Sequence, residues 1–151
     1  MEFLSGVLNN RILIASAFGW LTAQILKTII YVIVHKDFNP ERLLGDGGMP
    51  SSHSATVMAL VTSTAFYYGA DTFEFAVSAI MALIVMHDAM GVRRETGKQA
   101  KVINNMMDWL TEMSSDIPPE EKLKEFVGHS PTQVFFGALL GILVGVVVCL
   151  Q

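Results

Sequence analysis

Two histidines stand in turns that lead straight into apolar stretches, a setting suited to handling protons and anions. His53 lies in Gly47-Gly48-Met49-Pro50-Ser51-Ser52-His53-Ser54, just before the apolar run that starts at Ala55. His129 lies in Gly128-His129-Ser130-Pro131-Thr132, ahead of a second run from Val134. Paired glycines allow a tight turn, and Pro50 suits the approach to a helix. Ser51 or Ser52 can cap that helix, leaving first-turn N–H groups directed at an anion. An imidazole there can exchange a proton with the anion near neutral pH. The plainer alternative is a capped helix whose histidine merely marks a lipid–water boundary.

Further candidates are cationic or acidic side chains near the same ends of apolar runs. Lys27 is the one charge in Ile12–Val34, Asp88 closes Phe73–Met90, and Arg93 and Arg94 follow. Arginine binds phosphate in a bidentate way, and lysine adds a point charge. Two imidazoles beside such a pocket suit phosphoryl transfer. One attacks phosphorus, the other protonates the departing oxygen, and the cations hold the phosphoryl oxygens. No Asp/Glu cluster suggests bound magnesium, so neither metal nor cofactor is expected. Lys27 and Asp88 are costly in lipid and should face a bundle interior or wet cavity, unless Lys27 snorkels. For Asp88 the structural alternative is an ion pair with Lys27 or Arg93. Positive-inside anchoring is the alternative for the two arginines. His35 and His87 have weaker claims, since neither sits in a turn with helix-start residues.

The elements that carry these residues are membrane spans. The chain has 151 residues, of which 52% are hydrophobic and 16% charged, with a mean hydropathy of +0.46. The runs 54–70 and 134–150 hold no charge at all. Stretches of roughly 17–25 such residues match the hydrocarbon thickness of a bilayer. The expected fold is an all-α integral membrane bundle of about four transmembrane helices, at 12–34, 54–70, 73–90 and 132–150, in a single domain over 1–151. Four spans put segments 35–50 and 91–131 on one side and both termini on the other. Lys36, Arg42, Arg93, Arg94, Lys98, Lys101, Lys122 and Lys124 fall in the first group, Arg11 in the second. The positive-inside rule then makes the motif-bearing loops cytoplasmic, in an inner or plasma membrane.

Within the cytoplasmic 91–131 segment, Val102, Ile103, Met106, Met107, Trp109, Leu110 and Met113 form a helical stripe. This predicts an amphipathic helix over 98–113, lying at the membrane surface or against the bundle. A loop at 114–121 and a short helix over 119–126 should follow. The first span is too long for a signal peptide's apolar core and should remain as an anchor. The single Cys149 excludes an internal disulfide. No basic, aromatic-interleaved surface supports a nucleic-acid partner. The expected partners are membrane lipid and a phosphorylated amphiphile. Gly137-x3-Gly141-x3-Gly145 makes a close-approach face, for a homodimer or for packing within the chain.

Pro50-Ser51-Ser52-His53 and Gly128-His129-Ser130-Pro131 together resemble the divergent branch of the type 2 phosphatidic acid phosphatase superfamily, related to acid phosphatases and vanadium-dependent haloperoxidases. The resemblance extends over Lys27, Gly47–Ala55, His87–Arg94, Gly97–Ala100, Gly128–Pro131 and Gly137–Gly141. It implies a helical membrane bundle and hydrolysis of lipid phosphates or diphosphates. By the superfamily's second motif His53 is the general acid, with Ser52 in place of a glycine. By the third motif His129 is the nucleophile. Gln133 stands where that motif has an Asp, Leu123 near its Arg, and Val34-His35 where the first motif has Arg-Pro. Asp88 is expected to supply the missing carboxylate and Arg93 or Arg94 the missing guanidinium.

The leading expectation is therefore a metal-independent membrane phosphatase acting on a lipid-linked or amphiphilic phosphate. His129, His53 and Asp88 are its catalytic candidates, and Lys27, Ser51, Ser52, Arg93 and Arg94 its phosphate holders. The competing expectation is a non-catalytic protein that binds or carries an anionic lipid headgroup on the same scaffold. A vanadate-dependent peroxidase is a distant third, because such enzymes are usually soluble and larger.

Overall fold

The computed structural model describes residues 2–36, 48–113, 122–123 and 128–151, and every regular element among them is a helix. A short α1 (Glu2–Leu8), not anticipated from the sequence, precedes α2 (Arg11–His35), α3 (Ser52–Tyr68) and α4 (Phe73–Met90). The amphipathic α5 (Val92–Met113) and the last span α6 (Pro131–Cys149) follow. Among the described residues, three helical stretches are long and apolar enough to cross a membrane: α2, the stretch containing α4, and α6. The fourth expected span, α3, has 17 residues, about 26 Å of helix, and is the inner helix of the bundle.

The helices α2, α3, α4 and α6 start where a polar side chain takes up orphan N–H groups. The Asn10 side chain accepts from the amides of Ile12 and Leu13 at 3.1 Å each. Ser51 caps α3 and Thr72 caps α4, each accepting from the amide three residues on at 3.4 Å. Ser130 and Gln133 form a reciprocal capping box at α6, with Pro131 in its first turn.

The core is built from small residues and the surface from large ones. Ala15, Ala23, Ala55, Ala59 and Ala82 are at most 2% exposed, whereas Ile33, Leu83, Ile84 and Leu143 are more than 60% exposed. That is the inverse of a water-soluble bundle and suits a lipid surround, where close backbone approach holds helices together. The glycine stripe of α6 runs along α3. Gly137 faces Ser51 and Ser54, Gly141 faces Ala55 and Met58, and Gly145 faces Ala59 and Thr62. The two helices are therefore parallel and share one register. A Cβ at Gly19 of α2 would stand 2.8 Å from the Ala55 carbonyl oxygen, which also faces Gly141. Ala55 thus marks the junction of α2, α3 and α6. The close-approach face of α6 is covered within the chain, so a homodimer would have to use another.

Four hydroxyls of α3 are satisfied within the helix. Thr56, Thr62, Ser63 and Thr64 each donate to the carbonyl four residues back at 2.7–2.8 Å, which lets a serine/threonine-rich helix sit among apolar neighbours.

The chain between α4 and α6 departs from expectation in two ways. The amphipathic helix starts at Val92, not near 98, directly after a break at Gly91. Most of the expected loop at 114–121 and helix at 119–126 lies outside the described residues. Lys122 and Leu123, which are described, are not helical.

Candidate functional site

The parallel packing of α3 and α6 sets their N-termini side by side. Ser51 of α3 donates its backbone N–H to the Gln133 carbonyl at 3.0 Å, which stitches the two first turns together. His53 stands in the first turn of α3 and His129 immediately before the cap of α6. Their rings meet edge to face, with centroids 5.5 Å apart and planes at 77°. His129 is 1% exposed, and Ser51, Ser52 and Ser54 are all buried. Two helix N-termini with the same orientation concentrate positive potential at one place, which favours an anion.

Backbone contacts fix the His129 turn. Gly128 has φ +89°, and a Cβ there would stand 2.7 Å from the Arg93 carbonyl carbon and the Arg94 Cα. Glycine is therefore required twice over, by the left-handed conformation and by the neighbouring backbone. The His129 N–H donates to the Ala89 carbonyl at 2.9 Å. The turn that carries His129 is thus held on the joint between α4 and α5.

Lys27 is 3% exposed, and its stem passes under Gly48, which has φ +87°. A Cβ at Gly48 would stand 3.0 Å from Lys27 Cγ. Lys27 therefore does not snorkel to the lipid boundary but is enclosed by the turn that leads into α3. Gly47, the other glycine of that turn, lies outside the described residues. Met49–Pro50 is a cis peptide.

Asp88 and the arginines sit at the outer edge. Arg93 Nε donates to Asp88 Oδ2 at 2.9 Å, and both side chains are about two-fifths exposed. The carboxylate of Asp88 is engaged by Arg93. Arg94 is exposed, and it is its backbone that meets Gly128. Gln133, at the position of the motif's Asp, puts its side-chain oxygen on the Ser130 N–H at 2.9 Å. His35 stacks on Tyr31 at 4.2 Å and 18° at the end of α2, a local arrangement.

Two buried polar groups escaped the sequence reading. Gln24 is 5% exposed with no hydrogen-bond partner for its side-chain oxygen, and Ser54 is fully buried with no partner for its hydroxyl. Gln24 lies on α2 between Gly19, which touches Ala55, and Lys27, which touches Gly48. It therefore stands at the level of the first turn of α3. Its spacing with Lys27 and Thr28, which share one buried face, was the available clue in an otherwise apolar run. Buried polar atoms without partners are rare in folded proteins, and here both lie at the level of the first turn of α3. Among the described residues, His, Cys, Asp and Glu nowhere gather into a group of three that would hold a metal ion.

Comparison with known proteins bears on the whole chain. The sequence profile of the Divergent PAP2 family matches residues 8–144. The membrane protein YuiD of Bacillus subtilis (strain 168), itself uncharacterized, is 43% identical over 150 residues, covering 93% of this chain and 95% of that protein. No solved structure matches the chain.

Proposed function

The chain belongs to the divergent PAP2 family, and from that premise we propose that it is an integral-membrane phosphatase for a lipid-linked or amphiphilic phosphate. The observation that carries this reading is the pairing of His53 and His129 at adjacent, parallel helix N-termini. The phosphoryl group sits against those N-termini, with Lys27, Ser51 and Ser52 around its oxygens and Arg93 and Arg94 at its approach. A ring nitrogen of His129 attacks phosphorus as the bond to the leaving oxygen breaks. His53 gives that oxygen its proton. Water then attacks the phospho-histidine while His53 takes the water's proton, which frees inorganic phosphate and restores both imidazoles. The helix N-termini and cations stabilise the charge on the equatorial oxygens as phosphorus passes between nucleophile and leaving group. In this reading the His-bearing turns face the cytoplasm, as the Lys/Arg distribution favours.

The test is phosphate release in proteoliposomes from a panel of prenyl and glycerolipid phosphates. Turnover abolished in His53→Ala and His129→Ala, with acid-labile phosphate trapped on wild-type protein, is the expected result. Turnover unchanged in both variants overturns the assignment.

A second reading is a non-catalytic binder or carrier of an anionic headgroup. It is favoured by one observation: the two side chains nearest in role to the motif's carboxylate are engaged elsewhere, Gln133 in the α6 cap and Asp88 with Arg93. Saturable binding of a lipid phosphate without turnover, weakened by Arg93→Ala, would decide for it.

A further inference from the structure

The helix α5 has two faces that demand different surroundings. Gly97, Ala100 and Asn104 are buried along one edge. Asn104 there makes a two-way bond with the backbone of Leu123, donating to its carbonyl and accepting from its N–H, both at 2.9 Å. Lys122 adds an ion pair to Asp108 at 2.8 Å. At about 100° per residue, Val102, Met106, Trp109 and Met113 fall in one sector roughly opposite that edge, flanked by Ile103 and Leu110. All six are at least 40% exposed. Six large apolar side chains on one side of a 22-residue helix form a patch that water does not favour.

We propose that this face docks on the surface of the bilayer that α4 crosses, so that α5 lies in the headgroup–acyl boundary. Three observations commit it to lipid. First, apolar surface reaches both ends of α5. The lipid-facing side of α4 meets the start of α5 at a groove of about 580 Å³, where Leu83, Ile84, Met90 and Val92 stand beside His87 and Asp88. Val92 is the first residue of α5, and the six-residue apolar face lies farther along, from Val102 to Met113. Second, Gly91, with φ −94° and ψ −96°, breaks the helix between the two. The axis can thus turn from the span into the plane at the span's end. Third, the charge follows the same geometry. Arg93, Arg94, Lys98 and Lys101 lie in the half of α5 nearest the span, with Glu95 the single acid among them. Basic residues at that level attract anionic headgroups, and Trp109 is a side chain that favours the interface.

The consequence reaches the histidine pair. Gly128 rests on the Arg93–Arg94 backbone and His129 hangs from Ala89. A docked α5 therefore holds the His129 turn at headgroup depth, whether or not the site turns a substrate over.

Trp20 and Trp109 are the two tryptophans, so a Trp20→Phe protein reports on Trp109 alone. In phosphatidylcholine–phosphatidylglycerol vesicles, bromine placed high on the acyl chain should quench Trp109 several-fold more than bromine placed near its end. Aqueous iodide should quench it little. Strong iodide quenching without bromolipid quenching would place the face in water and overturn the proposal. Protection that grows with protein-to-lipid ratio, again without bromolipid quenching, would assign the face to a second copy and overturn it equally. Met106→Asp in the same background should move Trp109 from bromolipid to iodide quenching. Should that variant not fold, hydrogen exchange of the unmodified protein settles the matter. Amides of 102–113 slowed in vesicles relative to a small detergent micelle support docking, and amides equally fast in both exclude it.

Discussion

The imidazoles of His53 and His129 meet edge to face with ring centroids 5.5 Å apart, although 76 residues separate them in the sequence. If the pair acts as proposed, removal of either ring should affect chemistry far more than binding. His129→Ala and His53→Ala should each lower phosphate release by at least about 10²-fold. The apparent affinity for vanadate should fall less. Steady-state rates and vanadate inhibition in proteoliposomes, with circular dichroism to confirm the fold, check this.

Gly128→Ala should be severe although no function-bearing side chain is touched. A methyl group there meets the backbone of Arg93 and Arg94 at a φ of +89°, and neither obstacle is a flexible side-chain tip. A loss of about 2–4 kcal/mol is expected, through steric overlap and left-handed strain together. A lowered thermal midpoint in detergent, with faster proteolysis of the chain before α6, is the measurement.

Gly141→Leu should separate α3 from α6. The glycine lies against the Ala55 carbonyl, with Met58 Cβ also at van der Waals range or closer. Close backbone contact is what holds such helices in lipid, so the larger side chain should cost about 1–3 kcal/mol and disturb the histidine spacing. Thermal unfolding together with loss of vanadate binding would register both effects.

Asp88→Asn should leave stability nearly unchanged. The pair with Arg93 is about two-fifths exposed on both sides, and solvent screening reduces such a bridge to under about 1 kcal/mol. Arg93→Gln, by contrast, should raise KM for an anionic substrate several-fold. Comparing thermal midpoints with KM values separates a structural ion pair from a headgroup contact.

Gln24→Met should keep or raise stability. It replaces a buried amide oxygen that has no partner with an apolar side chain of similar volume, removing a desolvation cost of about 1 kcal/mol or more. If Gln24 serves the site, turnover should fall while the thermal midpoint does not. A drop in both would show that the amide is structural.

The spans were legible because uncharged runs of the right length leave few alternatives. Expected spans 12–34, 73–90 and 132–150 match α2, α4 and α6 to within one residue at each end. The start of α3 shifted from 54 to 52 because Ser51, and not a later serine, takes the cap. What composition could not supply was depth. Lys27 reads equally as a snorkelling residue or an enclosed one, and only the return of the chain at Gly48 distinguishes them. Gln24 escaped notice because an uncharged side chain barely alters the hydropathy of a span. Asp88 shows the opposite limit. Sequence position brought it to the end of α4 beside the His129 turn, but its ion pair with Arg93 is a local side-chain choice that spacing alone left open against Lys27.

The seam between α3 and α6 has a consequence for how the protein meets different membranes. At Gly137 and Gly141 the backbone of α6 lies against the Ser51 and Ala55 carbonyls, and at Gly145 against the short Thr62 side chain. Such a seam has almost nothing to compress or re-pack, so its width is set by the thickness of the polypeptide itself. The bundle can tilt as one body as the bilayer thickens or thins. The gap between the two imidazoles, tied to the seam by the Ser51–Gln133 bond and to α4 by the His129–Ala89 bond, should stay constant while it does. Lipid composition would then govern access to the histidine pair and leave its gauge untouched.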